Sequence, residues 1–240
     1  MHPGHHRAAV SERPLSVVER AVLAGPTLDA ARALIGSRLV RDDETGWRVA
    51  RVVEVEAYIG RDDRASHARF GETRRNRVMF GPPGHAYVYL VYGMYDCLNV
   101  VTEPAGSPAA LLIRAVEPLE GIDAMRIDRT LRATTRRHSL GAAAIAAQAD
   151  RIARLPANRL ASGPGLVAAA FGLGTDRTGT DLCDPASPVR LETPPANEPA
   201  AVVDATPRIG IDYAGEPWTT CPWRLIERGH GSVSGPRSSR

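Results

Sequence analysis

Two glutamates, Glu54 and Glu56, stand in an otherwise apolar run over residues 52–57. Alternation along a strand over 47–56 puts Trp47, Val49, Arg51, Val53 and Val55 on one face. Arg48, Ala50, Val52, Glu54 and Glu56 fall on the other. Paired carboxylates on a strand are ordinarily solvated, so a chemical role requires a cleft that holds at least one of them. Arg114 stands inside another apolar strand, over 111–117, on the side of Leu112 and Val116. A cation there needs a partner or a task. Tyr87 and Tyr89 share a face of a strand over 85–92, and Tyr92 lies close to the tip of the hairpin that follows. Residues 52–118 hold most of the aromatics of the chain. We read this stretch as an active site for a flat, aromatic substrate.

The composition removes several chemistries. All thirty basic residues are arginine, so no side-chain amine is available for a Schiff base and only the α-amino group of Met1 remains. Cys97, Cys183 and Cys221 are odd in number and far apart, which gives neither a disulfide framework nor a zinc spacing. His2, His5 and His6 lie in a polar N-terminus without a metal-ligand pattern. No apolar run approaches the roughly 20 residues of a membrane span, and no secretory leader is visible. A reducing, cytoplasmic setting is expected. The formal charge of +3 is only a weak pointer to nucleic acid.

The elements that must position these residues follow from local pattern. Residues 1–14 are expected to be a disordered tail, 15–234 one domain, and 235–240 a second tail. Thr27 is a candidate N-cap and Gly36 a stop for a short helix. Residues 39–41 start a strand and 44–46 a turn. Residues 60–83 are aperiodic and contain His67 with Arg61, Arg64, Arg69, Arg74, Arg75 and Arg77; a long loop inside a domain is usually functional or disordered. Residues 93–96 connect the hairpin. Helices are expected over 120–132, 140–155 and 166–173, the last with Ser162 as N-cap and Pro164 in its first turn. Arg126, Arg129, Arg132, Arg136 and Arg137 form either a solvated face or a phosphate-contacting patch. Short strands are expected near 189–192, 208–212 and 223–227. This order predicts an α+β fold: a single mixed domain around a curved, mainly antiparallel sheet with flanking helices.

The chain resembles the alkyladenine (methylpurine, or 3-methyladenine) DNA glycosylase family. The resemblance is carried by residues 53–58, by Arg75 and Asn76 with residues 79–84, and by 87–94 and 98–100. It continues through 113–118, 162–165 and Arg228-Gly229. It covers roughly residues 27–234. The resemblance implies an enzyme that flips a damaged purine from duplex DNA and hydrolyses its N-glycosidic bond, without metal or cofactor, starting base excision repair. A monomer bound to double-stranded DNA in the nucleoid is expected.

Residue by residue, Glu56 matches the family's catalytic carboxylate and Arg114 the arginine that holds the attacking water beside it. Tyr58, His67 and Tyr89 match the residues that sandwich the flipped base. Asn99 matches the residue that collides with the 2-amino group of guanine, and Tyr92 the side chain inserted into the duplex. Val233 is aligned with a residue whose backbone carbonyl orients the water. Two positions depart from the pattern: Arg74 stands where the family has proline, and Leu166 where it has lysine. A non-catalytic nucleic-acid-binding protein of the same fold and a hydrolase of free nucleosides are the competing readings.

Overall fold

The computed structural model describes residues 16–135 and 141–235. Its longest strand, β2 (Gly46–Ile59), is the axis of the sheet. β1 (Arg38–Asp43) folds back on the first half of β2. β5 (Ala109–Glu120) runs along the other side of β2. β3 (Ala86–Val91) and β4 (Tyr95–Thr102) form a hairpin that extends the sheet from β5. β6 (Val189–Glu192) closes on β1. β8 (Arg224–Glu227) pairs with Glu54, Val55 and Glu56, and β7 (Val203–Thr206) pairs with β8. All of these pairings are antiparallel, so the expected α+β fold is the one the chain adopts.

The helices α1 (Arg20–Ala24), α2 (Thr27–Leu34), α3 (Ile122–Thr135), α4 (Ala142–Ala153) and α5 (Pro164–Ala170) flank this sheet. The main core joins Leu34, Ala50, Val52, Val55, Ala57, Leu111, Ile113, Val116 and Phe171. Period-2 alternation cannot account for that set, because Val52 and Val55 are three apart. The β2–β5 ladder is irregular between Val52 and Val55: Val52 pairs with Val116, Glu54 with Ala115, and Val55 with Ile113. Val53 on one strand and Arg114 on the other are left without an opposite residue. A bulge of this kind re-aims side chains. Ala50 and Val52 therefore face the main core rather than sharing a face with Glu54 and Glu56. Val53 instead packs with Ala115, Ile226 and Val233. Val116 likewise leaves the side of Arg114 and joins the main core.

Other local expectations are corrected by tertiary contacts. Thr27 lies inside α2, whose N-cap is Pro26; its hydroxyl donates to Glu103 and shares a bond with Thr102. Ser162 does not cap α5, which starts from Gly163; its hydroxyl reaches the Val233 carbonyl. Residues 208–212 form no strand, since the chain turns there after β7. The tight turn of the β3–β4 hairpin is at Tyr92–Met94 rather than 93–96, with Met94 N–H bonded to Val91 O. Arg126, Arg129 and Arg132 form neither a solvated face nor a free phosphate patch. They reach back to the carbonyls of Leu155, of Arg159 and Leu160, and of Leu173. Met1, His2, His5, His6, Arg136 and Arg137 lie outside the described residues, as do both expected tails except Gly235.

The junction of β5 and α3 leaves no room for a side chain. Gly121 has φ +70°, and a Cβ on it would stand 2.0 Å from the Trp47 carbonyl oxygen. Gly121→Ala is expected to lower the unfolding free energy by about 2–3 kcal/mol through backbone strain and this clash. Urea unfolding followed by circular dichroism checks it; an unchanged midpoint would show that the junction yields freely.

Candidate active site

Two carboxylates and two guanidiniums meet where β2 is flanked on both sides, by β5 and by β8. Glu54 and Glu56 have no solvent exposure, and Arg114 is 8% exposed. Arg114, re-aimed by the ladder irregularity, donates from Nε to Glu54 Oε1 and from Nη1 to Glu56 Oε2, each at 3.0 Å. Its Nη2 lies 3.5 Å from the Ser234 hydroxyl. Burial opposes the charge of Arg114, but Glu56 and then Glu54 outweigh that and hold it above the ordinary arginine range. Glu56 also accepts from the Tyr58 hydroxyl at 2.9 Å on Oε2 and from the Ile209 amide at 2.7 Å on Oε1. A carboxylate offers about four acceptor directions, so the one left open is on Oε1.

In front of this pair lies a cavity lined by Tyr58, Ala65, His67, Met79, Tyr87, Tyr89, Asn99 and Ala110. It encloses about 20 Å³, room for roughly one water molecule. The rings are in mutual contact: His67 meets Tyr89 edge-on at 4.5 Å between centroids, and Tyr87 lies 5.3 Å from Tyr89. A planar base enters only if these rings part. Glu56 and Arg114 do not line this space; Tyr58 stands between and joins the two regions through its hydroxyl.

The cavity wall is neutral near pH 7. Burial, with the Arg75 and Arg69 charges adding to it, lowers the His67 pKa to about 4. Burial pushes the Tyr87 phenol up to about 12 and Tyr89 higher still. Burial, followed by the nearby Glu56 charge, raises Tyr58 well above the ordinary phenol range. His67 Nδ1 shares a hydrogen bond with Tyr87 Oη at 2.9 Å. Asn99 donates to the Tyr87 and Cys97 carbonyls, which fixes its amide in the wall.

Tyr92 is 87% exposed at the hairpin tip and has φ +50°; Gly93 beside it has φ +66°. Positive φ at both positions is the signature of a type I′ turn, whose twist suits a hairpin. A tyrosine pays about 1–2 kcal/mol for that conformation. Val233 is buried, its side chain beside Val53 and its carbonyl 3.4 Å from the Ser162 hydroxyl. Leu166 lies in the first turn of α5, and the Tyr95 ring covers the neighbouring Gly165.

Several supports carried little or no signal in the sequence. Glu54 is held by Arg224 Nε at 2.7 Å, the Ser234 amide at 2.6 Å and the Ser234 hydroxyl at 3.0 Å. Arg208 pairs with Asp63 beneath Tyr58. Asn76 orders the long loop by donating to the His67 and Gly71 carbonyls and accepting from Thr73. Phe70 and Tyr213 are exposed aromatics with the Arg69 guanidinium against both. Only Asn76 had a sequence signal, its place beside Arg75 in a quoted motif.

Residues 21–231 match the family described as methylpurine-DNA glycosylase (MPG), and the chain belongs to that family. Curated relatives agree over nearly the whole chain. A protein of Methanocella arvoryzae is 45% identical over 87% of this chain and 91% of its own length. One of Myxococcus xanthus is 41% identical over 90% of this chain and 93% of its own length. One of Bacillus cereus is 39% identical over 88% of this chain and 95% of its own length. Each carries the name "Putative 3-methyladenine DNA glycosylase".

The buried imidazole has a measurable consequence. Between the ordinary histidine value of 6.5 and about 4, the unfolded chain binds a proton that folded His67 refuses. Its contribution to stability is therefore present above 6.5, falls as pH drops through this window, and is lost below about 4. NMR titration of the His67 ring is expected to give a midpoint near 4; a midpoint at the ordinary value would refute the closed cavity.

Proposed function

We propose that the protein is a monofunctional DNA glycosylase that extrudes damaged purines from duplex DNA and hydrolyses their N-glycosidic bond. The observation that carries this reading is Glu56: an unexposed carboxylate with one open acceptor direction, fixed by Arg114 behind a cavity of neutral rings.

The purine enters as the rings part, and stacks on Tyr58, His67 and Tyr89. Such stacking is worth about 1–3 kcal/mol per base. Extrusion costs a few kcal/mol, and less for a damaged or mispaired base. The terms are similar in size, so lesions that loosen the duplex are captured while sound pairs stay stacked. Asn99, held by two carbonyls, sets the wall that guanine's 2-amino group would strike. Tyr92 fills the gap left in the duplex, as apolar wedges do.

A water bound between the open lone pair of Glu56 Oε1 and a spare Arg114 N–H attacks C1′. The Val233 carbonyl offers it a further acceptor. As the C1′–N bond breaks, its electron pair leaves with the purine and positive charge grows on the sugar. The Glu56 anion stabilises that charge and takes the water's proton. The products are free base and an abasic strand. The chain has no lysine side chain to open the sugar, which supports a reaction that stops at the abasic strand.

The neutral wall bears on substrate range. Among the lining residues none is a charged acid near pH 7, so a base that needs protonation to leave gets little help. Cationic alkylated purines, which leave readily and are attracted to electron-rich rings, are the preferred substrates; deaminated purines follow more slowly. The protein acts on chromosomal DNA in the cytoplasm as a monomer. A hydrolase of free nucleosides would have no use for an exposed, strained tyrosine at the hairpin tip.

Single-turnover release of 7-methylguanine from a defined duplex tests the activity. The wild-type protein is expected to release base and leave the abasic strand uncut. Glu56→Gln is expected to lose about 10²-fold or more in rate. Equal rates for the two would remove Glu56 from the chemistry. For the wedge, Tyr92→Asn is informative because asparagine tolerates the left-handed conformation. Its unfolding midpoint should be unchanged or higher, while release from the duplex drops at least about tenfold, since part of the extrusion cost is no longer offset. Retained release would show that Tyr92 does not enter the duplex.

A further inference from the structure

The side chains of Arg208 and Asp63 have no exposure at all. Two bonds join them: Nη1 to Oδ2 at 2.6 Å and Nη2 to Oδ1 at 2.9 Å. A buried ion pair is weak evidence of a role in stability, because apolar residues of the same volume often serve as well. Its surroundings point elsewhere.

The Arg208 guanidinium carbon lies 4.8 Å from the centre of the Tyr58 ring and 4.9 Å from that of Trp223. Nη1 also donates to the carbonyl of Ala57, the residue between Glu56 and Tyr58, at 2.9 Å. The next amide along the chain, Ile209 N–H, is the donor to Glu56 Oε1. Asp63 in turn accepts from Ile59 N–H at 3.2 Å and Ala65 N–H at 3.0 Å, so it shapes the start of the loop that carries Ala65 and His67. One ion pair thus ties together the end of β2, the first turn of the long loop, and the amide that holds the carboxylate.

We infer that Arg208, locked by Asp63, is the positioning residue of this site: it fixes the plane of Tyr58 from outside the cavity and, through the adjacent amide, the orientation of Glu56. The inference rests on the glycosylase reading above. Arginine suits the task because its planar fork meets a carboxylate with two bonds while its face lies on a ring; lysine offers neither geometry. A carboxylate displaced by about 1 Å from its attacking water loses on the order of 10²-fold in rate. Arg208 therefore acts on the chemical step and not on the grip on DNA, which falls to the exposed hairpin.

The test uses full-length Arg208→Lys and Asp63→Asn proteins, with Gly121→Ala as a variant destabilised away from the site. Base release from a 7-methylguanine duplex is measured in single turnover at saturating protein. Binding is measured to an undamaged duplex and to one carrying a cationic pyrrolidine in place of the lesion nucleotide, a mimic of the charged sugar. Arg208→Lys and Asp63→Asn are expected to lose about 10- to 100-fold in saturated rate. They should also lose their preference for the pyrrolidine duplex, while affinity for the undamaged duplex stays within about twofold. Gly121→Ala should keep rate and preference. The proposal is overturned if folded Arg208→Lys and Asp63→Asn keep the wild-type rate and preference. It is equally overturned if all three variants lose rate in proportion to lost stability. Failure of the glycosylase reading shows differently: the wild-type protein itself releases no base, and the positioning role falls with it.

Discussion

Arg114 lies between two carboxylates that have no exposed surface, and the rest of the site depends on that arrangement. Two glutamates on one strand, both sealed from solvent, would face a desolvation cost of several kcal/mol each if unpaired. Arg114 bonds both, and Arg224 adds a second cation on Glu54. The network is a poor candidate for net stabilisation. What it supplies is direction: Glu54 holds the guanidinium at Nε so that Nη1 meets Glu56 Oε2. Ordered dipoles and charges that need not reorganise are the largest single resource of most active sites.

The sheet makes this arrangement possible. A regular β2–β5 ladder would point Arg114 and Val116 the same way and put Ala50, Val52, Glu54 and Glu56 on one face. The irregularity at Val53 and Arg114 separates these sets, so Ala50, Val52 and Val116 go to the main core and the charges to the site. β8 then covers the same stretch from the other edge, contributing Arg224. The segment that follows β8 brings in Ser234.

Charge and neutrality are kept in separate compartments. Behind Tyr58 lie the ions; in front lie uncharged rings whose burial keeps the phenols protonated and the imidazole unprotonated. Tyr58 belongs to both compartments, with its face in the cavity and its hydroxyl on Glu56. Tyr92 stands outside both. Its strained backbone and exposed ring mark a position held for something other than folding.

Much of this was legible in the sequence. The long strand, the hairpin with its tip tyrosine, the unusual cation in an apolar strand and the aromatic face all follow from local periodicity and turn chemistry. The family motif assigned Glu56, Arg114 and the ring residues, and the structure brings those together. The tertiary structure alone decided the ladder irregularity, which inverts the alternation that sequence periodicity assumes. It alone paired Arg208 with Asp63, 145 residues away, and Ser234 with Glu54, 180 residues away. Periodicity records which face a residue prefers within its own segment. It carries no record of which distant backbone amide or guanidinium arrives to satisfy a buried carboxylate, because that depends on how the strands are registered after the chain has folded.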